Sequence, residues 1–260
     1  VVAGRVASPH VVRAIHAAYA ALDWDAAARE YFDDPRARFT ARARREIRER
    51  GIAAVEEIAA FRRDVDAGPR RGATLLVGAG VAEIAVALAE SLAGRPVTLL
   101  TTRAAEAPLL RVSLETGSRV ATPRVVVGDA LRARLPRPIA HLWLVSVLDD
   151  PDAFPALHDF FYQRADPRTF SGRRLDADRR RARAIVARLL PRLAPGALVT
   201  ASDDAHPWIA EWAESRGLAV EAEPRVWRAP TTKDPVRFLR LAAPTPIRIL
   251  TDGSPRPERP

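Results

Sequence analysis

The chain has no cysteine, no methionine and no asparagine, and Lys233 is the one lysine among 41 basic residues. Without thiols, disulfides, thiolate nucleophiles and cysteine-bound zinc or iron–sulfur centres are excluded. A P-loop is excluded as well, because its phosphate-binding lysine must follow a glycine-rich turn and Lys233 follows none. No apolar run approaches the roughly 18 residues that read as a membrane span. Val1 to His10 lacks the basic start and apolar core of a secretory leader. A cytoplasmic location without membrane contact is expected.

What is present suits a packed domain. The chain has 260 residues, 48% of them hydrophobic, enough for one large core with an appendage. A net charge of +9 and a sequence pI of 11.1 would ordinarily suggest nucleic acid. Here arginine replaces lysine nearly throughout and alanine and proline are abundant, a pattern of codon bias in a GC-rich source. Scarcity of thermolabile residues adds the expectation that this source is thermophilic. Nucleic acid is therefore disfavoured as a partner.

The most informative stretch runs from Thr74 through Val77-Gly78-Ala79-Gly80-Val81-Ala82-Glu83 into Ile84 to Ala89. An apolar strand turns on two glycines and enters a helix, which is how doubly wound α/β domains build a nucleotide pocket. A dinucleotide fingerprint would place its third glycine at position 83, where Glu83 stands, so NAD and FAD lose support.

Upstream, the spacing of apolar residues predicts helices. Ser8-Pro9 opens one carrying Val11, Val12, Ile15, Tyr19 and Leu22 on a single face. Asp25 is expected to cap a short helix with Tyr31 and Phe32. Asp34-Pro35 is expected to start another that ends near Gly51, and Ile52 to Val65 forms a last one stopped by Gly68-Pro69. These compose an N-terminal helical cap over residues 1–70.

From 71 to 243 short apolar runs alternate with helices. Strands are predicted at 73–77, 97–101, 124–127, 139–147 and 197–200, with helices at about 82–92, 104–114, 178–193 and 205–215. Two final strands, about 218–228 and 236–241, follow without an intervening helix. The expected fold is α/β, a doubly wound, mainly parallel seven-stranded sheet, with an insertion at 151–178 and a Pro-rich tail over 244–260.

Three short motifs in this order carry a resemblance. Val77 to Ala82, Gly128-Asp129-Ala130 after the third strand, and Leu193-Ala194-Pro195-Gly196-Ala197 before the fifth resemble class I S-adenosylmethionine-dependent methyltransferases, as does the paired ending of the sheet. The resemblance implies S-adenosylmethionine as cofactor and a small-molecule substrate, with a homodimer left open. It implies that Gly78, Ala79, Gly80 and Ala82 hold the amino acid part of the cofactor. Thr101 and Thr102 stand where the family places the acidic residue that grips the ribose. Asp129 and Ala130 would meet the adenine, and Ser146 and Val147 would border the transfer centre. Leu76 and Ala82 also depart from the family pattern, which has an acidic residue and a third glycine there.

Candidate catalytic residues are Tyr19 and Tyr31 on the cap, Asp149 after the fourth strand and His158 in the insertion. Asp149-Asp150 and Asp203-Asp204 stand at two strand ends as carboxylates do in magnesium-dependent O-methyltransferases, but both pairs also read as helix caps, and no metal is expected. The main expectation is methyl transfer to a small molecule. The alternatives are an aminocarboxypropyl transfer resembling nicotianamine synthase, a nucleic-acid methyltransferase and a non-enzymatic scaffold. The composition predicts a thermal melt well above about 50 °C, and a midpoint near that value argues against a heat-adapted source.

Overall fold

The computed structural model describes residues 7–64, 71–118, 122–164, 171–229 and 232–242. Helices α1 (Pro9–Ala21), α2 (Trp24–Tyr31) and α3 (Ala41–Asp64) precede β1 (Ala73–Val77). Then follow α4 (Ile84–Leu92), β2 (Val97–Thr101), α5 (Glu106–Gly117), β3 (Arg124–Val127) and β4 (Ile139–Leu144). The chain continues through α6 (Pro155–Phe161), α7 (Gly172–Leu189), β5 (Leu193–Ser202), α8 (His206–Glu214), β6 (Ala219–Ala222), β7 (Trp227–Arg228) and β8 (Pro235–Ala242).

The sheet runs β3-β2-β1-β4-β5-β8-β6, with β7 paired to β8 off this path. Strands β1 to β5 are parallel, and β8 is antiparallel to β5, β6 and β7. Side chains alternate across each strand, so the apolar runs feed two cores. Leu76, Leu99, Trp143, Leu198 and Phe238 pack with α1, α3, α4 and α5. Leu75, Leu100, Leu142, Leu144 and Leu239 pack with α6, α7 and α8. Both faces are covered, which is why the strands read as continuous apolar runs.

Several boundaries differ from the sequence expectation for physical reasons. Asp23, not Asp25, caps α2, its Oδ1 accepting from the backbone N–H of Asp25 at 3.1 Å and Ala26 at 2.9 Å. The two helices expected to meet near Gly51 are one helix, α3, whose start is capped by Thr40 Oγ1 accepting from Ala43 N at 3.1 Å. Gly51 serves as a contact point instead of a stop: a Cβ there would lie 2.8 Å from the Ala85 Cβ, so its absence lets α3 close on α4. β4 stops at Leu144 because Ser146 turns to φ +52°. α7 begins at Gly172, six residues before the expected start, since Leu175 is buried and anchors its first turn. The last expected strand pair is three strands, β6 and the two-residue β7 both lying against β8. The helix stop at Gly68-Pro69, residues 165–170 of the insertion and the tail lie outside the described residues.

A buried polar network ties α3 and α4 to the sheet. Glu90, 2% exposed, accepts from Arg62 at 2.6 Å, from Thr74 Oγ1 at 2.9 Å and from Arg95 at 3.4 Å. His141, fully buried on β4, places Nδ1 3.1 Å from Glu90 Oε1 and Nε2 2.8 Å from Thr200 Oγ1. Burial opposes ionisation of Glu90, but His141 and Arg62 outweigh it and hold the carboxyl well below its ordinary range. Burial also keeps the imidazole below its ordinary 6.5, against the pull of Glu90. We assign the ring as neutral, with Nδ1–H donating to the carboxylate and Nε2 accepting from Thr200. Glu90→Gln leaves Arg62 without its counter-charge. The expected cost is about 3 kcal/mol, read as a fall of roughly 6–12 °C in Tm by calorimetry at neutral pH.

Candidate functional site

The turn after β1 passes through a narrow gap. Gly78 has φ +65°, and a Cβ on it would approach the Val147 Cγ2 to 2.9 Å. A Cβ on Gly80 would land on the hydroxyl of Tyr31. The two glycines thus let bare backbone run between the end of β4 and α2.

Three N–H groups of this turn, those of Ala79, Gly80 and Val81, are satisfied within the chain. Ala79 N donates to Leu100 O at 3.0 Å and Gly80 N to Glu83 Oε2 at 2.9 Å. Val81 N is shared by the Tyr31 hydroxyl and Glu106 Oε1, each at 3.1 Å, while Tyr31 donates to Glu106 at 2.7 Å. Tyr19 donates to Val81 O at 2.9 Å and stacks on Trp24 at 5.9 Å, tying α1 to the same turn. Tyr19 is buried and packs behind the turn; Tyr31 is the tyrosine that reaches the cavity.

Two buried carboxyl groups therefore back the turn. Burial pushes Glu83 up to about 7, and Glu106 is raised by the same cause. Glu106 Oε2 has no hydrogen-bond partner. A turn with three N–H groups occupied and two carboxyl groups beneath it, free to ionise when a cation arrives, suits a cation better than a phosphate. Glu106 was not among the residues singled out in the sequence; its only signal is its place opening α5, five residues after β2.

A cavity of about 460 Å³ opens over Gly78 and Ala82 at the C-terminal ends of β1 and β4. Tyr31, Phe32, Phe39 and Ile47 form its apolar wall, with Arg103, Ser146, Asp150 and Lys233 as polar groups. Arg103 lies over the Tyr31 ring at 4.8 Å and 3.6 Å from both Asp150 and Asp152. Thr101 is buried, its hydroxyl accepting from Arg103 N at 3.1 Å, so it shapes the turn after β2.

A second, smaller cleft of about 50 Å³ lies across Gly78, lined by Thr102, Asp129, Ala130 and Val147. Asp129 Oδ1 accepts from Leu131 N at 2.7 Å, and its Oδ2 is held by Arg181 at 2.7 Å. The Arg181 guanidinium covers the Phe154 ring at 5.4 Å. The run Arg179-Arg180-Arg181-Ala182-Arg183, midway along α7, reads in sequence as a solvated face, yet Arg181 turns inward and narrows the cleft.

Asp149 and His158 line neither of these two clefts. His158 Nδ1 lies 2.7 Å from the Asp149 carbonyl and its ring 4.6 Å from that of Tyr162. The Tyr162 hydroxyl lies 3.0 Å from Asp149 Oδ2 and 3.1 Å from Asp234 Oδ1. Asp203 pairs with Arg237 at 2.9 Å, away from Asp149. Among the described residues no three His, Asp or Glu side chains converge as a metal site.

The comparisons with known proteins agree on architecture. No protein-family model matches the chain, and no curated protein does. Among solved structures, magnesium protoporphyrin IX methyltransferase from Synechocystis PCC 6803 with bound SAM is similar at a TM-score of 0.50 and 12% identity, covering 89% of this chain and 97% of that one. The same enzyme with SAH gives 0.49 and 10%, covering 90% and 99%. The N-methyltransferase NodS from Bradyrhizobium japonicum WM9 gives 0.43 and 12%, covering 76% and 97%. The chain has a class I methyltransferase-like fold, with the sheet order and antiparallel last strand described above. Among the described residues no helix is long and apolar enough to cross a membrane.

The contact at Gly80 is testable by coupling. Gly80→Ala is expected to displace Tyr31 and cost about 1–3 kcal/mol by overpacking. Tyr31→Phe, which removes the obstructing oxygen, is expected to recover much of that loss in a double-mutant cycle of denaturant melts.

Proposed function

We propose that the chain is an enzyme that transfers a methyl group from S-adenosylmethionine to a small molecule held in the 460 Å³ cavity. One observation carries this reading: within a class I methyltransferase-like fold, the glycine turn offers buried carboxyl groups instead of free N–H groups. When bound, the cofactor supplies a methyl group on a positively charged sulfur. Phosphate-bearing dinucleotides suit such a turn poorly.

The residues fit this group, with one rearrangement. Burial holds Glu83 and Glu106 toward their neutral forms, and a cation at the turn draws them into the charged form, so they receive the cofactor's ammonium end beside Gly78, Ala79, Gly80 and Ala82. Asp129 is the acceptor for the adenine amino group and Ala130 its neighbour, once Arg181 moves off the carboxylate. Thr101 and Thr102 offer the ribose no charge, which leaves the turn and Asp129 as the main anchors. Ser146 and Val147 border the transfer centre between the two clefts. Tyr31, Phe32 and Phe39 exclude water and hold a flat or apolar acceptor in line, where positioning supplies much of the rate. Tyr19 orients the turn from behind, and Asp149 and His158 brace the end of β4.

A thermal-shift screen tests this directly. S-adenosylhomocysteine at about 100 times its Kd is expected to stabilise the protein by about 2.7 kcal/mol, and NAD not at all. Asp129→Ala is expected to abolish the shift and Arg181→Ala to enlarge it. A shift that survives Asp129→Ala intact refutes the adenine assignment. Release of methylthioadenosine in place of S-adenosylhomocysteine during turnover refutes methyl transfer.

A further inference from the structure

The hydroxyl of Ser146 has little freedom. Ser146 sits at φ +52°, a left-handed conformation that strains a non-glycine residue, and it follows β4 on the wall of the main cavity. Its backbone N–H is tied to Ser202 Oγ at 2.8 Å. Its own hydroxyl donates to Asp234 Oδ2 at 2.6 Å, a short charge-assisted bond. Thr232 Oγ1 lies 2.8 Å from Ser146 Oγ and accepts from Asp234 N at 3.4 Å. With the serine proton committed to Asp234, Thr232 must be the donor in that pair. A hydroxyl has one proton and two lone pairs, so Ser146 retains one lone pair and no proton for the cavity.

The far side of Asp234 is equally occupied. The Tyr162 hydroxyl lies 3.1 Å from Asp234 Oδ1 and 3.0 Å from Asp149 Oδ2, so its single proton is shared between two carboxyl groups. Asp204, beside them, is pushed up to about 7, by burial first and by Asp149 next, and its Oδ2 has no partner. The titratable groups around Asp234 are thus Asp149, Tyr162 and Asp204, with His158 behind and Lys233 next in the chain. None of them offers Ser146 a proton in place of the one it gives away.

We propose that Ser146, oriented by Asp234, is a hydrogen-bond acceptor that selects substrates whose methyl-accepting atom carries a proton, an O–H or N–H on an apolar, largely aromatic skeleton. This rests on the preceding reading for the identity of the reaction and names its acceptor atom. Carboxylates and fully substituted nitrogens bring no proton and leave the Ser146 lone pair unmet. As the acceptor reacts, its O–H or N–H bond breaks and the electron pair stays on the heteroatom. The proton passes to Ser146 Oγ while the serine proton passes to Asp234 Oδ2, so charge and atoms balance with no oxidant. Ser146 is the catalytic residue in this step and Asp234 a positioning residue acting through it. A site built to bond an O–H discriminates strongly against an analogue lacking it.

Binding measurements test the proposal without turnover. Calorimetry with 4-methylphenol against 4-methylanisole, and with 4-nitroaniline against its N,N-dimethyl derivative, presents the same skeleton with and without the proton. The native protein is expected to prefer the protonated member of at least one pair by about tenfold or more, and the pair that shows it distinguishes O–H from N–H. Ser146→Gly, which removes the hydroxyl while relieving the positive φ, is expected to lose the preference without loss of Tm. Asp234→Asn, which can donate back to Ser146, is expected to lose it as well, and Asp234→Glu to restore part. The S-adenosylhomocysteine thermal shift is expected to persist in Asp234→Asn, which lies outside the cofactor cleft, and this separates the outcome from failure of the cofactor site. Equal affinity within both pairs in the native protein, or a preference unchanged in Ser146→Gly, overturns the proposal.

Discussion

Everything at the site follows from how closely α2 and β4 approach the turn after β1. Backbone alone fits between the Tyr31 hydroxyl and Val147, and the glycines at 78 and 80 supply it. Because the gap is closed, Tyr31 reaches the N–H of Val81 and shares it with Glu106. That one arrangement docks α2, buries two carboxyl groups and leaves the cavity walled by the aromatic side of the helical segment. A β-carbon at either glycine would push these elements apart.

The scaffold that holds this gap lies beneath the sheet surface. Glu90 joins Arg62 of α3 to Thr74 of β1 and His141 of β4, so the helix bearing the cavity wall is tied to the strands bearing the glycine turn. Burying such charges stabilises little in itself, since desolvation offsets much of the attraction. Its effect is to fix where α3 stands, because any other register leaves a buried charge unpaired. The apolar cores on the two faces supply the stability, and the network supplies the position.

Charge is distributed so that the two clefts differ. The main cavity has buried acids beneath its turn and Ser146 committed as an acceptor, whereas in the smaller cleft the Asp129 carboxylate is covered by Arg181. On the proposed reading, a ligand spanning both carries its cationic end at the turn and displaces Arg181 at the other. This is an economical account of why a site with an unconventional β2 ending, Thr101-Thr102-Arg103, still presents well-defined chemistry.

By itself the sequence determined the alternation of strands and helices, since runs such as Ala73–Val77, Val97–Thr101 and Arg124–Val127 admit one period and stand at those limits in the structure. It also determined the doubly wound class, the place of the glycine turn and the absence of thiol chemistry. Boundaries set by a neighbour were not legible: Gly51 looks like a stop until Ala85 is packed against it, and β4 ends early only because Ser146 is held at positive φ. Glu106, Arg181 and Asp234 were invisible as site residues for the same reason. Their partners lie 25, 52 and 88 residues away, and a local pattern carries no information about which surface charge the fold will turn inward. Local periodicity is a property of the chain, whereas the pairing of buried polar groups is decided only when distant segments must satisfy one another without water.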